Sequence, residues 1–312
     1  MSVHQLGVEE NSNGGVTPGE KREVNEEDDE QKLSRHEATV YRAIVARANY
    51  LAQDRSDIAF AVKELCRRMS APKMGDWKAL KRLGRYLIDK RRVVTEFNYQ
   101  FKPSKIQVWG DTDHAGRKES RKATSGGAVI MGSHLIKAWS VTQGVIALSS
   151  GEAEFYAIAV GIAETLFVIN LLFELGYPNR KGRIYSDSSS GRSMVARIGC
   201  GKMKHLSVKV LWSQEHVKRK HVTIHKVDGD KNPADLQTKH LPVEKHKVLC
   251  AENGLRFGRQ SGVWENPHVH DEVNDPMDKL MTVVEDSETV SYTHLRAHET
   301  LRYLVCRLLL EK

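Results

Sequence analysis

Two aspartates that end predicted strands are the first candidates for chemistry. The residue pattern predicts one strand over 106–111, ending in Asp111, and another over 183–187, ending in Asp187. A hairpin and a long helix separate the two strands, and a right-handed crossover makes them parallel neighbours. Because neighbouring strands lie about 4.8 Å apart, both carboxylates are expected at one edge of the sheet. Such a pair repels unless a cation such as Mg²⁺ or Mn²⁺ binds there.

Further acidic residues are candidates for the same site. Glu152 and Glu154 stand at the start of the long helix, about 200° apart around its axis, so only one of them faces the sheet. Glu152 fits a capping box, which leaves Glu154 as the candidate ligand. Asp235 begins a later helix and is a candidate for the fourth side of the site. Asp113 is a second choice, because it follows the first aspartate by two residues on the same strand face.

Each of these acids also has a simple structural alternative. A lone aspartate at a strand end is commonly a turn or cap residue, and the helix dipole favours an acid in a first turn. Two aspartates at neighbouring strand ends weaken that alternative without removing it. Two divalent ions about 3.5–4 Å apart form the clamp that in-line displacement at phosphate uses, so the set points to phosphoryl chemistry.

The charge distribution points to a polyanionic partner. The chain has 48 basic and 40 acidic residues, and its net charge is +8. Ten acidic and four basic residues lie among the first 40, so the rest of the chain is strongly basic. A basic body favours nucleic acid, although a solvated surface is the alternative. The candidate nucleic-acid contacts are Lys78, Lys81, Arg82, Arg85, Lys202, Lys204 and His205.

An α/β domain over about residues 105–245 is needed to position these side chains. Alternation and turn residues predict strands at 93–99, 106–111, 126–131, 134–140, 183–187 and 221–227. Helical spacing predicts helices at 37–51, 56–72, 76–88, 149–176, 188–197 and 204–218, and one from 232 onward. The long helix at 149–176 is apolar on most sides and is expected to be buried.

Several protein classes lack support in the sequence. The four cysteines, Cys66, Cys200, Cys250 and Cys306, form no CxxC pair, which fits a reduced intracellular compartment better than a zinc ribbon or a disulfide scaffold. No apolar run of about 18 residues and no signal-peptide pattern is present, so we expect a cytoplasmic or nuclear protein that is neither secreted nor membrane-bound. The GxSxG, GxxxxGK[ST] and HExxH motifs are absent.

A set of motifs resembles one known family. The motifs are WGDTDHAG at 109–116, RKATSG at 121–126, ALSSGEAEF at 147–155, YSDS at 185–188, KHL at 204–206 and NPADLQTK at 232–239. Their order and spacing resemble the ribonuclease H domain of copia-type LTR retrotransposon Pol polyproteins. Residues 48–62 resemble the segment that joins reverse transcriptase to ribonuclease H in that family. The likeness covers about residues 38–257 and is specific as a set.

The resemblance implies a fold, an activity and roles for four acids. The fold is ribonuclease H-like, a mixed five-stranded sheet flanked by helices and preceded by a small helical segment. The activity is hydrolysis of the RNA strand of RNA/DNA hybrids with two Mg²⁺ ions, Mn²⁺ being possible. Asp111 would bridge both ions, Glu154 and Asp187 would hold the ion on the leaving-group side, and Asp235 would hold the ion that activates water. The implied partner is the polymerase domain of the parent polyprotein.

Two departures from this family and its cellular relatives leave a second hypothesis open. Cellular ribonucleases H carry a histidine in the loop before the last acid, whereas residues 228–231 contain none and His225 lies inside a predicted strand. No Tyr-x-Asp-Asp polymerase motif is present, so the chain resembles the end of a polyprotein. The alternative to an enzyme is a non-catalytic nucleic-acid-binding relic with the same fold.

Composition and resemblance together predict the domain organisation. We expect a disordered acidic segment at 1–37, a helical connection at 38–100, the ribonuclease H-like domain at 101–257 and a second disordered stretch at 258–289. Residues 290–312 resemble translated adaptor or vector sequence, with a short amphipathic helix as the alternative.

Overall fold

A computed structural model describes most of the first 258 residues. The described residues are 6–8, 14–21, 31–114, 121–201, 205–206, 208–258 and 264–265. All of them lie in the first of two units into which the chain divides, Met1–Val269 and His270–Lys312. The predicted contacts Lys202 and Lys204 and the stretch at 290–312 lie outside the described residues.

The chain alternates between helical and extended elements. The helices are α1 (Arg35–Leu51), α2 (Ala59–Cys66), α3 (Met74–Asp89), α4 (Ser150–Glu174), α5 (Ser189–Ala196), α6 (Val208–Lys218) and α7 (Val243–Glu252). The strands are β1 (Arg92–Thr95), β2 (Lys105–Asp113), β3 (Thr124–Met131), β4 (His134–Thr142), β5 (Lys181–Ser186), β6 (Val222–Lys226), β7 (Leu255–Gly258) and β8 (Trp264–Glu265). Two short 3-10 helices, Gly229–Lys231 and Pro233–Gln237, follow β6.

The central sheet has five strands in the order β4-β3-β2-β5-β6. Strands β2, β3 and β4 form an antiparallel meander, whereas β5 is parallel to β2 and β6 is parallel to β5. The predicted α/β class, its mixed five-stranded sheet and the preceding helical segment are confirmed. The hairpin turn at 132–133 is also as predicted, and Gly132 takes the positive φ of 66° that glycine adopts readily.

Helix α4 is the crossover that makes β2 and β5 parallel neighbours, and it packs on β2, β3 and β5. Its side chains Phe155, Ile158 and Ile162 are fully buried against Val108 and Ile184 of the sheet. By length and composition this one helix is apolar enough to span a membrane, although no such span was predicted. The core helix of an α/β domain passes the same test, and α4 occupies that position here.

The helical segment before the sheet has its own apolar core. Helix α1 begins at a capping box in which the Ser34 hydroxyl accepts from the Glu37 N–H and the Glu37 carboxylate accepts from the Ser34 N–H. A buried ion pair lies beneath α3, where Arg55 donates to both oxygens of Asp57 and the Tyr86 hydroxyl donates to Asp57 as well. Helix α2 begins at Ala59 and not at the predicted cap Ser56, because turns occupy the residues before it.

The C-terminal elements differ from the single helix predicted from residue 232. The chain forms the 3-10 helix Pro233–Gln237 and then starts α7 at Val243, directly after Pro242. Proline favours the first turn of a helix and cannot continue an earlier one, which explains the break. A second sheet, β1-β7-β8, ties this region to the helical segment. Its strand β8 lies within the stretch predicted to be disordered.

Part of the N-terminal segment packs on the helices, in contrast to the disorder predicted for 1–37. Leu6 and Val8 are buried in the apolar core formed by α1, α2 and α3. Glu20 pairs with Arg82 of α3 at 2.6 Å, and Thr17 accepts a hydrogen bond from the same guanidinium. Polar composition alone did not indicate that the few apolar residues here would find a partner surface.

Candidate metal centre

Three carboxylates converge at the ends of β2 and β5 and at the start of α4. One oxygen each from Asp111, Glu154 and Asp187 lies within 4.8 Å of the other two. The parallel register pairs Trp109 with Tyr185, so the aspartates two residues further along each strand reach the same edge. The structure therefore brings together three of the four acids that the sequence singled out.

Glu154 is a buried acid of the cluster that forms no salt bridge among the described residues. Its Oε2 atom is buried and has no hydrogen-bond partner among the described residues, while the backbone of Thr112 bonds to the carboxyl group. Burial, followed by the charges of Asp111 and Asp187, raises the pKa of Glu154 to about 9. The close approach of α5, where a Cβ on Gly191 would lie 2.9 Å from Glu154 Cβ, contributes to this burial.

Asp111 is the centre of the cluster and is only 2% exposed. The Thr238 hydroxyl donates a short hydrogen bond to its Oδ2 atom, and Lys239 Nζ lies 3.4 Å from the same oxygen. Burial raises the pKa of Asp111 to about 6, against the lowering effect of Lys239 and Thr238. A bound cation would return a carboxyl group whose pKa is raised this far to its charged form.

Asp235, the fourth predicted acid, lies beside the cluster and is held by two lysines. Its Oδ1 atom is 2.7 Å from Lys239 Nζ, and its Oδ2 atom is 2.8 Å from Lys245 Nζ. It is 2% exposed and sits in the 3-10 helix Pro233–Gln237, whose Asn232 cap donates to the Gly110 carbonyl on β2. That bond brings the 3-10 helix against the strand that carries Asp111.

Glu152 has a structural role, but the capping box predicted for it forms only in part. The Ser149 hydroxyl accepts from the Glu152 N–H, but the glutamate side chain bonds to the N–H of Leu148, one residue before the cap. It also accepts from the Tyr156 hydroxyl and lies 3.0 Å from His205 Nε2. Against the effect of burial, these hydrogen bonds lower the pKa of Glu152.

Asp113, the second-choice ligand, lies outside the cluster. It is half-buried at the end of β2, where the charge of Lys63 on α2 reaches it. The ammonium of Lys63 donates to the Thr124 hydroxyl on β3 at 2.6 Å. Helix α2 therefore contacts the sheet near the candidate site, a contact that sequence periodicity alone could not indicate.

The predicted nucleic-acid contacts that the structure describes lie on α3 and beside the start of α4. Lys78 and Arg85 are exposed on α3 and Lys81 is half-exposed, but Arg82 is engaged by Glu20 and Thr17. His205 is paired with Glu152 near the start of α4, so it lies close to the helix that carries Glu154. The nucleic-acid role of all these residues remains a prediction.

Thr238, Lys239 and Lys245 are the site residues that sequence reasoning did not name. Burial disfavours the charge of Lys239, but the carboxylates of Asp111 and Asp235 raise the pKa of Lys239 above its ordinary value. Thr238 and Lys239 belong to the NPADLQTK motif, and this motif was the feature of the sequence that could have indicated them. Lys245 lies on α7, and only the tertiary fold brings it to Asp235.

The donor set fits a hard divalent cation. Mg²⁺ and Mn²⁺ prefer oxygen ligands, and the clustered atoms of Asp111, Glu154 and Asp187 are all carboxylate oxygens. A buried carboxylate oxygen without a partner is costly, and coordination would satisfy Glu154 Oε2.

Comparison with known proteins supports the same family. No protein-family profile matches the chain. It is 31% identical over 201 residues to the retrovirus-related Pol polyprotein from transposon TNT 1-94 of Nicotiana tabacum, which covers 64% of the chain and 15% of that polyprotein. It is also 31% identical over 219 residues to the Pol polyprotein from transposon RE1 of Arabidopsis thaliana, covering 70% of the chain and 15% of that polyprotein. The chain thus spans about 15% of the length of these curated relatives.

A solved structure, LC11-RNase H1 isolated from compost, aligns with 42% of the chain and 91% of its own length. The identity is 15% and the TM-score 0.34, so the fold rests on the sheet order of the chain itself. That sheet and its acidic edge define an α/β domain of the ribonuclease H class. The chain is thus homologous to a part of the retrovirus-related Pol polyproteins of copia-type transposons, and its sheet gives that part the ribonuclease H fold.

Proposed function

We propose that this region is a metal-dependent endonuclease that hydrolyses the RNA strand of RNA/DNA hybrids. The observation that carries the proposal is the convergence of Asp111, Glu154 and Asp187 at one edge of the sheet, with a buried glutamate oxygen that lacks a partner. Among the reactions that use such a set, in-line displacement at phosphate fits best, because it needs closely spaced hard cations and no other cofactor.

The proposed roles follow the position of each acid. Asp111 would contribute to both Mg²⁺ sites, Glu154 and Asp187 would help to hold one ion, and Asp235 would help to hold the other; Mn²⁺ is an alternative ion. When bound at such carboxylates, the ions stabilise charge on the phosphate and activate the attacking water. The burial of Asp111 and Glu154 keeps water away from their oxygens, and Thr238 orients Asp111 through its hydroxyl.

The substrate and partners are proposed on the family assignment. Exposed basic residues, including Lys78 and Arg85 of α3, would contact phosphates of the hybrid and would make binding sensitive to salt. The polymerase portion of the parent polyprotein would be the protein partner, in an intracellular setting. The non-catalytic relic is not favoured, because the three clustered acids are intact and converge.

Cleavage of a labelled RNA/DNA hybrid by the full chain in Mg²⁺ tests the proposal. We expect cleavage by the wild type and its loss in Asp111→Asn, because the substitution removes the carboxylate common to both proposed ion sites. Asp113→Asn is the matched control, since it changes the neighbouring aspartate of the same strand outside the cluster. Salt-sensitive hybrid binding by the wild type without any cleavage would contradict the proposed endonuclease activity and support the non-catalytic nucleic-acid-binding relic.

A further inference from the structure

The amino group of Lys239 lies between two buried carboxylates of the candidate metal centre. Its Nζ atom is 2.7 Å from Asp235 Oδ1 and 3.4 Å from Asp111 Oδ2. Both aspartate side chains are almost fully buried, whereas 46% of the lysine side chain is exposed. The ammonium therefore reaches the two carboxylates from the solvent side of the site.

Neighbouring contacts hold Lys239 in this place. Its backbone N–H donates to the Asp235 carbonyl at 3.2 Å, and the preceding Thr238 donates its hydroxyl to Asp111. Lys245 occupies the second oxygen of Asp235 at 2.8 Å. Both oxygens of Asp235 thus contact an ammonium, and a divalent ion that uses Asp235 must share an oxygen with a cation or displace it.

Fewer lysine contacts reach the three clustered acids, Asp111, Glu154 and Asp187, than reach Asp235. Glu154 has a buried oxygen without a hydrogen-bond partner among the described residues, and the nearest lysine contact to the cluster is the 3.4 Å approach of Lys239 to Asp111. A first ion can bind this set without breaking the contact between Lys239 and Asp235. A second ion between Asp111 and Asp235 would meet the ammonium directly, and like charges at that distance repel strongly.

We propose that Lys239 is a built-in counter-cation that competes with the second divalent ion for Asp111 and Asp235. The inference rests on the proposed metal centre and adds an order of events to it. The first ion binds the cluster of Asp111, Glu154 and Asp187, and the second binds only when the lysine side chain turns out to solvent. Lys239 is thus a positioning residue that holds the two aspartates together until that ion arrives.

Mn²⁺ binding to the full chain, followed by the electron paramagnetic resonance signal of free Mn²⁺, tests this competition. We expect one tighter and one weaker site in the wild type, and a second site about tenfold tighter in Lys239→Met, as removal of about 1.4 kcal/mol of repulsion predicts. Lys247→Met is the charge-matched control, because Lys247 lies on the same chain segment and pairs only with Glu244 among the described contacts. Its isotherm should match that of the wild type.

Lys239→Gln also removes the charge, and it should tighten the second site as well if Lys239→Met folds poorly. Lys239→Arg retains the charge and should keep the second site weak. Equal second-site affinity in the wild type and a folded Lys239→Met protein would overturn the competition and leave the metal centre intact. Absence of Mn²⁺ binding in the folded wild type would overturn both this inference and the proposed function, so the two failures are distinguishable.

Discussion

The clustered carboxylates impose an electrostatic cost on the folded protein. Burial and mutual repulsion raise the pKa of Glu154 to about 9 and that of Asp111 to about 6, from ordinary values of 4.5 and 3.8. An acid with a raised pKa stabilises the folded state below its unfolded pKa, and this contribution is lost as pH rises towards the folded value. Cation binding would offset the cost, because coordination favours the charged form.

This cost predicts the pH dependence of stability in the absence of divalent ions. In EDTA, the free energy of unfolding should fall by about 2–4 kcal/mol between about pH 6 and pH 9, because Glu154 keeps its proton in the folded state up to about pH 9, whereas the unfolded chain has already lost it. Glu154→Gln should remove most of this slope. Urea unfolding at several pH values measures it.

Glu152→Gln is the matched control for that prediction. It lies two residues from Glu154 on the same helix, but its pKa is lowered, so its titration falls below this pH range. The slope should persist in this variant. A wild type whose stability is flat from about pH 6 to pH 9 would contradict the electrostatic account of Glu154.

The acids of the candidate site are the residues that the sequence predicts best. Strand ends and helix geometry single out Asp111, Asp187 and Glu154, because local periodicity fixes where such side chains point. The pairing of Arg82 with Glu20 could not be predicted, because it joins segments far apart in the chain. The contact of Lys245 with Asp235 depends on the break between the 3-10 helix and α7, which the sequence did not predict.

At the scale of elements, the close packing of the 3-10 helix Pro233–Gln237 on β3 positions Asp235. A Cβ on Gly126 would lie 2.6 Å from Thr238 Cγ2 and 2.7 Å from Gln237 Cβ. Glycine is therefore required at this point of the strand for the helix to approach. The sequence shows that residue 126 is glycine, but only the packed structure shows why a larger residue would not fit there.

This packing predicts the effect of adding one methyl group. Gly126→Ala should destabilise the protein by about 1–3 kcal/mol, because the added atom forces the 3-10 helix away from the sheet. Chemical denaturation measures the change. The matched control is Gly144→Ala, where nothing lies within 4 Å of an added Cβ. Equal free energies of unfolding for the two variants would show that the 3-10 helix can move away from Gly126 without loss of stability.

The hairpin and the crossover were predictable from local signals, whereas the C-terminal elements were not. The two-residue turn at 132–133 and the apolar helix at 150–174 follow from turn residues and periodicity. Strand β7 is stabilised by pairing with β1, about 160 residues earlier in the chain. Such pairing depends on the tertiary fold and has no local sequence signature.

At the scale of the whole molecule, the helical segment and the sheet domain share buried contacts across the proposed boundary near residue 100. The Gln237 amide donates to the Ser56 carbonyl at 3.1 Å, and β1 pairs with β7. The first contact is made by the 3-10 helix that carries Asp235. The second is made by β7, which directly follows α7. We therefore propose that the segment at 38–100 supports the site and is more than a linker.

Truncation tests this support. A chain limited to residues 101–258 loses β1 and Ser56, and we expect a lower urea midpoint and faster amide exchange in β7 than in the full chain. A chain that begins at residue 31 is the control, because it keeps α1, α2, α3 and β1 and loses only the N-terminal contacts. Equal midpoints for the full chain and residues 101–258 would show that the two parts are independent.

Metal-dependent cleavage of RNA at the acidic edge of the sheet is the activity that we propose for this protein. The most direct measurement is the rate of RNA/DNA hybrid cleavage against Mg²⁺ concentration for the full chain, Glu154→Gln and Glu152→Gln. We predict a loss of at least about 100-fold in Glu154→Gln, as removal of a ligand worth several kcal/mol requires, and less than about tenfold in Glu152→Gln. Equal rates in the two variants, or a folded wild type that cleaves no hybrid at any Mg²⁺ concentration, would contradict the claim.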